Sequence, residues 1–104
     1  MTIKEMQKTY KKIFKAEFAA FVNARNIASM VADENYDYAT IAEYAKTIAK
    51  SHRSIVKIAD AMNVGDGDIV GFKNEDAFVK WCIMNNIEMH ENESASNDEE
   101  LDDE

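Results

Sequence analysis

A chain of 104 residues, 46% of them apolar, can build one small hydrophobic core and no more than one domain. The sequence has no 18-residue apolar stretch, no N-terminal signal-like segment and a single cysteine. These features argue against a membrane protein or a disulfide-stapled secreted scaffold, and they predict a cytoplasmic protein.

The formal net charge of -8 is unevenly distributed along the chain. Residues 88–104 hold nine acidic residues and no Lys or Arg, whereas residues 1–87 hold twelve basic residues against eleven acidic ones. The final segment also has too little apolar content to offset the entropy lost on ordering. The sequence therefore predicts a helical domain over residues 1–87 and a disordered acidic tail over residues 88–104.

The first predicted helix opens at Thr2, where a threonine followed three residues later by Glu5 is typical of a capping box. We expect this helix to continue to about Met30. Its apolar side recurs at steps of three and four, and its lysines fall on the opposite side. The apolar residues are Ile3, Met6, Tyr10, Ile13, Phe14 and Phe21, and the lysines are Lys4, Lys8, Lys11, Lys12 and Lys15.

The second predicted helix follows a polar break at residues 33–37, and its apolar pattern alternates between steps of three and four. We call this pattern the seam. It consists of Tyr38, Ile41, Ala45, Ile48, His52, Ile55, Ala59 and Met62. A repeat of this kind is typical of helices that pack lengthwise. We expect the seam to pack on the aromatic side of the first helix, with His52 in the core.

The last third of the domain begins with Gly65, which we expect to cap the second helix in a left-handed conformation. A turn at residues 66–67 and a short extended segment or loop over residues 69–73 should follow. Asn74 can cap a final helix over residues 75–86, in which Cys82 is a core residue. The predicted fold class is all-α: a three-helix bundle with two long helices, a short third helix and a glycine-rich connection.

Residues 41–60 also fit a twenty-residue helix-turn-helix, with a small residue at Ala45 and a turn at Ala49-Lys50-Ser51. The run from Ala49 to Ile55 resembles the turn and recognition helix of ParB-type DNA-binding domains. The resemblance implies that four side chains face the major groove, with Arg53 suited to contact guanine. These side chains are Ser51, His52, Arg53 and Lys57.

A single helix is the alternative, because a turn at residues 49–51 should reset the helical phase and the seam continues through it without slipping. In that case the polar side carries Lys46, Lys50, Arg53 and Lys57 as a basic stripe. The sequence leaves both alternatives open, and both expose the stripe to solvent.

The lysines of the first helix and the basic stripe of the second favour a non-enzymatic regulatory protein that contacts the phosphates of duplex DNA. The acidic tail would lower the affinity of this binding. The candidate contacts are Lys8, Lys11, Lys12, Lys15, Lys46, Lys50, Ser51, Arg53 and Lys57. No residue pattern suits catalysis, a metal or a cofactor. A homodimer is a further expectation, because two long helices outrun the short third one and leave apolar length uncovered.

The alternative function places the chemistry in the tail, which could imitate nucleic acid and occupy a basic site on a partner protein. The acids that would do so are Asp98, Glu99, Glu100, Asp102, Asp103 and Glu104. In length, lack of proline and acidic end, the chain is similar to many small phage-encoded proteins that modulate host machinery.

Overall fold

The computed structural model describes residues 1–89, and this part of the chain is all-α, as predicted. Helix α1 spans Ile3–Ala32, α2 spans Tyr38–Met62 and α3 spans Glu75–Met84, with a 3-10 turn at Asp66–Asp68. Most of the predicted disordered tail, residues 90–104, lies outside the described residues.

The capping box at the start of α1 is confirmed. The backbone N–H of Glu5 donates to the Thr2 hydroxyl at 3.1 Å, and the backbone N–H of Thr2 donates to the Glu5 carboxylate at 2.7 Å. This second bond stabilises the ionised carboxylate and lowers the pKa of Glu5. The two bonds satisfy backbone donors that the first turn of a helix leaves free.

Helix α2 begins at a side-chain cap, Asp37, which lies within the predicted polar break. The Asp37 carboxylate accepts from the Thr40 hydroxyl at 2.9 Å and from the Thr40 backbone N–H at 3.3 Å, and these bonds lower the pKa of Asp37. Residues 49–51 are helical, so the predicted turn of the helix-turn-helix does not form. The single-helix alternative is correct, because this stretch contains no glycine or proline to interrupt the backbone hydrogen bonds.

The C-terminal cap of α2 is Asn63, with φ 60°, and the prediction of a cap at Gly65 is wrong. Gly65 has φ -76° and starts the 3-10 turn. Asparagine tolerates the left-handed region better than most residues, so the chain can leave the helix two residues earlier. At the next helix, the predicted Asn74 cap is confirmed, since its side chain accepts from the Ala77 backbone N–H at 2.9 Å.

The helices form two layers of unequal length. The short connection at residues 33–37 makes α1 and α2 an antiparallel pair, and α3 packs on α1. The backbone N–H of Gly71, just before α3, donates to the Glu17 carboxylate at 2.9 Å. At the other end, the N-terminal amine of Met1 lies 3.2 Å from the Glu88 carboxylate. The second layer therefore covers α1 from its start to about Glu17.

We call the covered part of the α1–α2 pair the proximal half (residues 3–17 and 53–62) and the remainder the distal half (residues 18–32 and 38–52). The buried apolar cluster lies in the proximal half and in the segments that cover it. It comprises Met6, Ile13, Ala16, Ile55, Ile58, Ala59, Met62, Ile69, Phe78, Cys82 and Ile87. The predicted core role of Cys82 is confirmed, and burial raises the pKa of its thiol to about 11.

The seam is buried along part of its length, which corrects the prediction that all of it packs on α1. Ile55, Ala59 and Met62 are buried, whereas Tyr38 is 76% exposed and His52 is exposed. His52 is therefore not a core histidine. The reason is a rotation of α2 by about one residue, which turns Tyr44, Ser51 and Ile58 toward α1 in place of Ala45, His52 and Ala59.

The aromatic side of α1 is also less buried than predicted. Met6 and Ile13 are in the core, but Phe14 and Phe21 are 52% and 58% exposed. Helix α2 instead packs on the side of α1 that carries Thr9 and Ala16, both buried. Small side chains at these positions allow the two helix backbones to approach closely, which the bulky rings would prevent.

Candidate nucleic-acid interface

The lysines of α1 lie on the side of the helix that faces away from α3. Tyr10 marks the side toward α3, because its ring lies 5.7 Å from the ring of Phe78. With 3.6 residues per turn, Lys8, Lys12 and Lys15 point about 140° to 160° away from Tyr10. Lys8 and Lys15 are exposed and Lys12 is half-buried, as expected for a row that borders the contact with α2.

The basic stripe of α2 likewise faces away from the second layer. Met62 marks the side toward the chain that follows α3, because it lines a cavity of about 220 Å³ together with residues 85–88. The stripe lies about 120° to 180° around the helix from Met62. Its members are Lys46 and Arg53, which are exposed, and Lys50 and Lys57, which are half-buried.

The two rows therefore share the open side of the α1–α2 layer, and we call this surface the basic face. Lys15 lies seventeen residues before the end of α1 and Ile55 seventeen residues after the start of α2, so these residues are level in the antiparallel pair. Lys12 and Lys15 are thus level with Arg53 and Lys57 along the pair. From Lys4 at one end to Lys46 at the other, the basic face is about 30 Å long at 1.5 Å per residue.

Acidic side chains adjoin the basic face at both ends of the α2 row. Glu43 precedes the row by one turn, and its carboxylate lies 4.0 Å from the Lys46 ammonium group, with both side chains exposed. Asp60 follows Lys57 by one turn and is exposed. These two acids adjoin nine basic residues of the two rows, so the net charge of the basic face is positive.

Two predicted nucleic-acid contacts of the helix-turn-helix alternative do not lie on the basic face. Ser51 is 6% exposed and faces α1, so its hydroxyl cannot reach a nucleic acid in this structure. His52 is exposed, but it points about 130° away from the centre of the basic stripe. Of the four side chains that the ParB-type resemblance implies, Arg53 and Lys57 are the two on this surface.

An aromatic row borders the basic face on α1, and the sequence reasoning missed its exposure. Phe14, Phe18 and Phe21 are 52%, 57% and 58% exposed. The Phe14 ring stacks with those of Tyr10 and Phe18, each at 6.1 Å, and the Arg25 guanidinium lies 5.8 Å from the Phe21 ring centroid. A signal was present in the sequence, because apolar residues on this many sides of one helix cannot all be covered by one neighbour.

Comparison with protein-family models, with curated proteins and with solved structures finds no match to this chain. The resemblance to ParB-type domains thus stays a prediction apart from its turn, which is helical. Within residues 1–89, no helix is both long and apolar enough to cross a lipid bilayer. The same span contains no group of three or more His, Cys, Asp or Glu side chains that could hold a metal ion.

Proposed function

We propose that the protein is a non-enzymatic regulator that binds duplex DNA through the basic face. The observation that carries this proposal is the position of two basic rows, one from each long helix, on the same open side of the α1–α2 layer. A surface about 30 Å long spans about nine base pairs of B-DNA at 3.4 Å per pair, so several phosphates lie within reach of it.

The expected binding is electrostatic and insensitive to DNA sequence. Helix α2 is unbroken, so residues 41–60 do not provide a separate recognition helix set at an angle to enter the major groove. Lysine and arginine contacts to phosphate release condensed counterions, so affinity should fall steeply with salt concentration. The eight acidic residues between positions 91 and 104, which lie outside the described residues, would compete with phosphate for the same side chains and lower the affinity.

A gel-retardation experiment with two charge-matched double variants tests the proposal. Lys15→Glu with Arg53→Glu reverses two exposed charges on the basic face, and Lys73→Glu with Lys80→Glu reverses two exposed charges near α3. Both variants have the same net charge. We expect the first to bind more weakly and to show a salt dependence shallower by about two in log–log slope, and the second to bind nearly like the unchanged protein.

A chain that ends at Met89 completes the DNA experiment. We expect it to bind more tightly than the full chain, since it lacks eight of the nine tail acids. The proposal fails if neither chain retards duplex DNA at low salt. It fails equally if the two double variants lose affinity to the same extent, because net charge alone would then explain the effect.

A second candidate function is an acidic inhibitor of a partner protein, and the observation that favours it is the segregation of charge. The six residues Asp98, Glu99, Glu100, Asp102, Asp103 and Glu104 fall within the last seven positions. Such a segment could fill a basic groove as a nucleic-acid mimic. Capture from a nuclease-treated lysate distinguishes the two functions, because a direct protein partner survives nuclease and a DNA-bridged one does not.

A further inference from the structure

An apolar groove runs along the distal half, in line with the surface that α3 covers in the proximal half. Its α2 wall is the distal part of the seam, in which Tyr38, Ala45 and His52 are exposed and Ile41 and Ile48 are half-buried. Its α1 wall continues the helical stripe of Ile13 and Glu17, which meet the second layer. That wall consists of Ala20, Ala24, Ile27 and Val31. We call this surface the distal groove.

The rest of this chain is poorly suited to fill the distal groove. The chain leaves α3 at the opposite end of the molecule, where Ile87 is buried and Glu88 lies beside the amine of Met1. In residues 90–104 the only apolar side chains are Ala95 and Leu101, among eight acids. Covering an apolar groove with such a segment would bury charge without compensation. An apolar surface on another molecule suits the groove better than residues 90–104 do.

The distal seam has a self-complementary order of side chains. From its first residue it has an aromatic ring, an isoleucine, an alanine, an isoleucine and an aromatic ring: Tyr38, Ile41, Ala45, Ile48 and His52. If a second copy packs antiparallel with Ala45 at the centre, Ile41 of one chain lies opposite Ile48 of the other. In the same arrangement, Tyr38 lies opposite His52. This reciprocity is what a two-fold symmetric interface requires of its residues.

The positions that flank the seam allow a second helix to approach closely and without repulsion. Ala42 and Ala49 lie beside the central Ala45, and all three are exposed. Small side chains at a helix contact let the two backbones come close and bring larger neighbours into contact. The nearby charges of α2, Glu43 and Lys46, point more than about 90° away from the seam. The groove therefore carries no charge that would repel an identical copy.

We propose that α2 of a second copy packs antiparallel along the distal groove, forming a homodimer whose two-fold axis passes near Ala45. In the dimer, the distal halves of two protomers form a four-helix arrangement that covers the groove on both. This interface lies on a different side of α2 from the basic face. The dimer therefore does not depend on the proposed function.

The test compares Ala45→Glu with Ala39→Glu in the full chain. Both alanines are exposed on α2, but Ala39 is on the side of the basic stripe. Sedimentation velocity from about 1 μM to about 1 mM covers the affinities of such interfaces. We expect the unchanged protein and Ala39→Glu to pass from monomer to dimer, and Ala45→Glu to remain monomeric. Circular dichroism should show equal helicity, since neither glutamate is placed in the core.

Cysteine cross-linking gives a second, position-specific measurement. Ala45→Cys places two thiols at the two-fold axis, within the Cα separation that a disulfide requires, and Cys82 is buried and should not compete. We expect mild oxidation to yield a covalent dimer with Ala45→Cys and not with Ala39→Cys. The proposal is overturned if the unchanged protein is monomeric throughout, if Ala45→Glu dimerises normally, or if both cysteines cross-link equally.

The dimer and the proposed DNA binding fail separately in these experiments. Ala45→Glu keeps Lys15, Arg53 and the rest of the basic face, so its monomer should still retard DNA. If the protein binds DNA but does not self-associate, the proposed dimer alone is refuted. If it self-associates but does not bind DNA, the proposed function alone is refuted.

Discussion

In the proximal half, α1 and α2 are packed against a third element, whereas in the distal half the described structure pairs them with each other alone. The same seam passes through both halves of α2. Ile55 and Met62 are 8% and 2% exposed in the proximal half, and Ile41 and Ile48 remain half-buried in the distal half. An antiparallel pair of helices can cover one side of each helix, and a second apolar side is buried where a further layer reaches it.

The difference shows that α3 determines which apolar residues become core. Helix α3 has ten residues, so it is about 15 Å long, against about 37 Å for α2. It supplies Phe78 and Cys82, both fully buried, and no other part of residues 1–89 supplies a comparable side chain beyond the level of Glu17. We therefore expect stability to be concentrated in the proximal half, and association to be concentrated in the distal half.

The largest expected effect is that of Phe78→Ala. The Phe78 ring is fully buried and lies 5.3 to 6.1 Å from the rings of Tyr10, Phe72 and Trp81, so its loss should lower the free energy of unfolding by about 3–5 kcal/mol. Ile41→Ala in the distal half should cost about 1 kcal/mol. Urea unfolding of both, in the Ala45→Glu background to remove any dimer, measures the contrast. Equal losses would contradict the division into two halves.

The next effect is alkaline destabilisation through Cys82, which belongs to the proximal core. Its pKa is raised to about 11 in the folded protein from an ordinary value of 9.0, so the unfolded chain releases the proton first. The stability that the neutral thiol provides is complete below about pH 9 and is lost as the pH rises to about 11, by at most about 2–3 kcal/mol.

Comparing the unfolding free energy of the unchanged protein and of Cys82→Ala across this pH range isolates the thiol from other titrating groups. We expect the alanine variant to be less stable at neutral pH because of its cavity and to lose less stability above pH 9. Parallel pH profiles for the two proteins would show that the thiol does not contribute.

The smallest expected effect is at the border between the halves, where Glu17 accepts from the backbone N–H of Gly71 at 2.9 Å. Glu17→Ala removes the acceptor and should cost about 1 kcal/mol. Hydrogen exchange should become faster at Gly71 and its neighbours and stay unchanged in the distal half. Glu17→Gln keeps an acceptor oxygen and should have a weaker effect, while faster exchange throughout α1 would contradict a local role for this bond.

The helices and their first residues could be predicted because they depend on local chemistry. Thr2 and Asn74 cap their helices as side chains that accept from the nearby backbone. The rotation of α2 could not be predicted, because adjacent positions such as Ser51 and His52 fit the repeat almost equally well. Ser51 fits the close contact with α1 because its side chain is small. A sequence pattern predicts such a polar residue to lie on the surface.

The candidate site was predictable in its parts and not in its assembly. The rows of Lys8, Lys12 and Lys15 on α1 and of Arg53 and Lys57 on α2 follow from helical spacing within each helix. Their shared surface depends on which side of the α1–α2 pair α3 occupies, and this is a long-range property. The exposure of Phe18 and its aromatic neighbours depends on the same choice, since a second layer on their side would have buried them.

The seam and the basic stripe occupy sides of α2 that are about 130° apart, and this angle has a consequence for any larger assembly. Two chains joined along their seams would direct their cationic surfaces outward, away from each other. Such a pair could not easily lay both surfaces on one stretch of duplex. It would instead bridge two separate DNA segments, and so gather DNA into loops or bundles rather than bind at a single site.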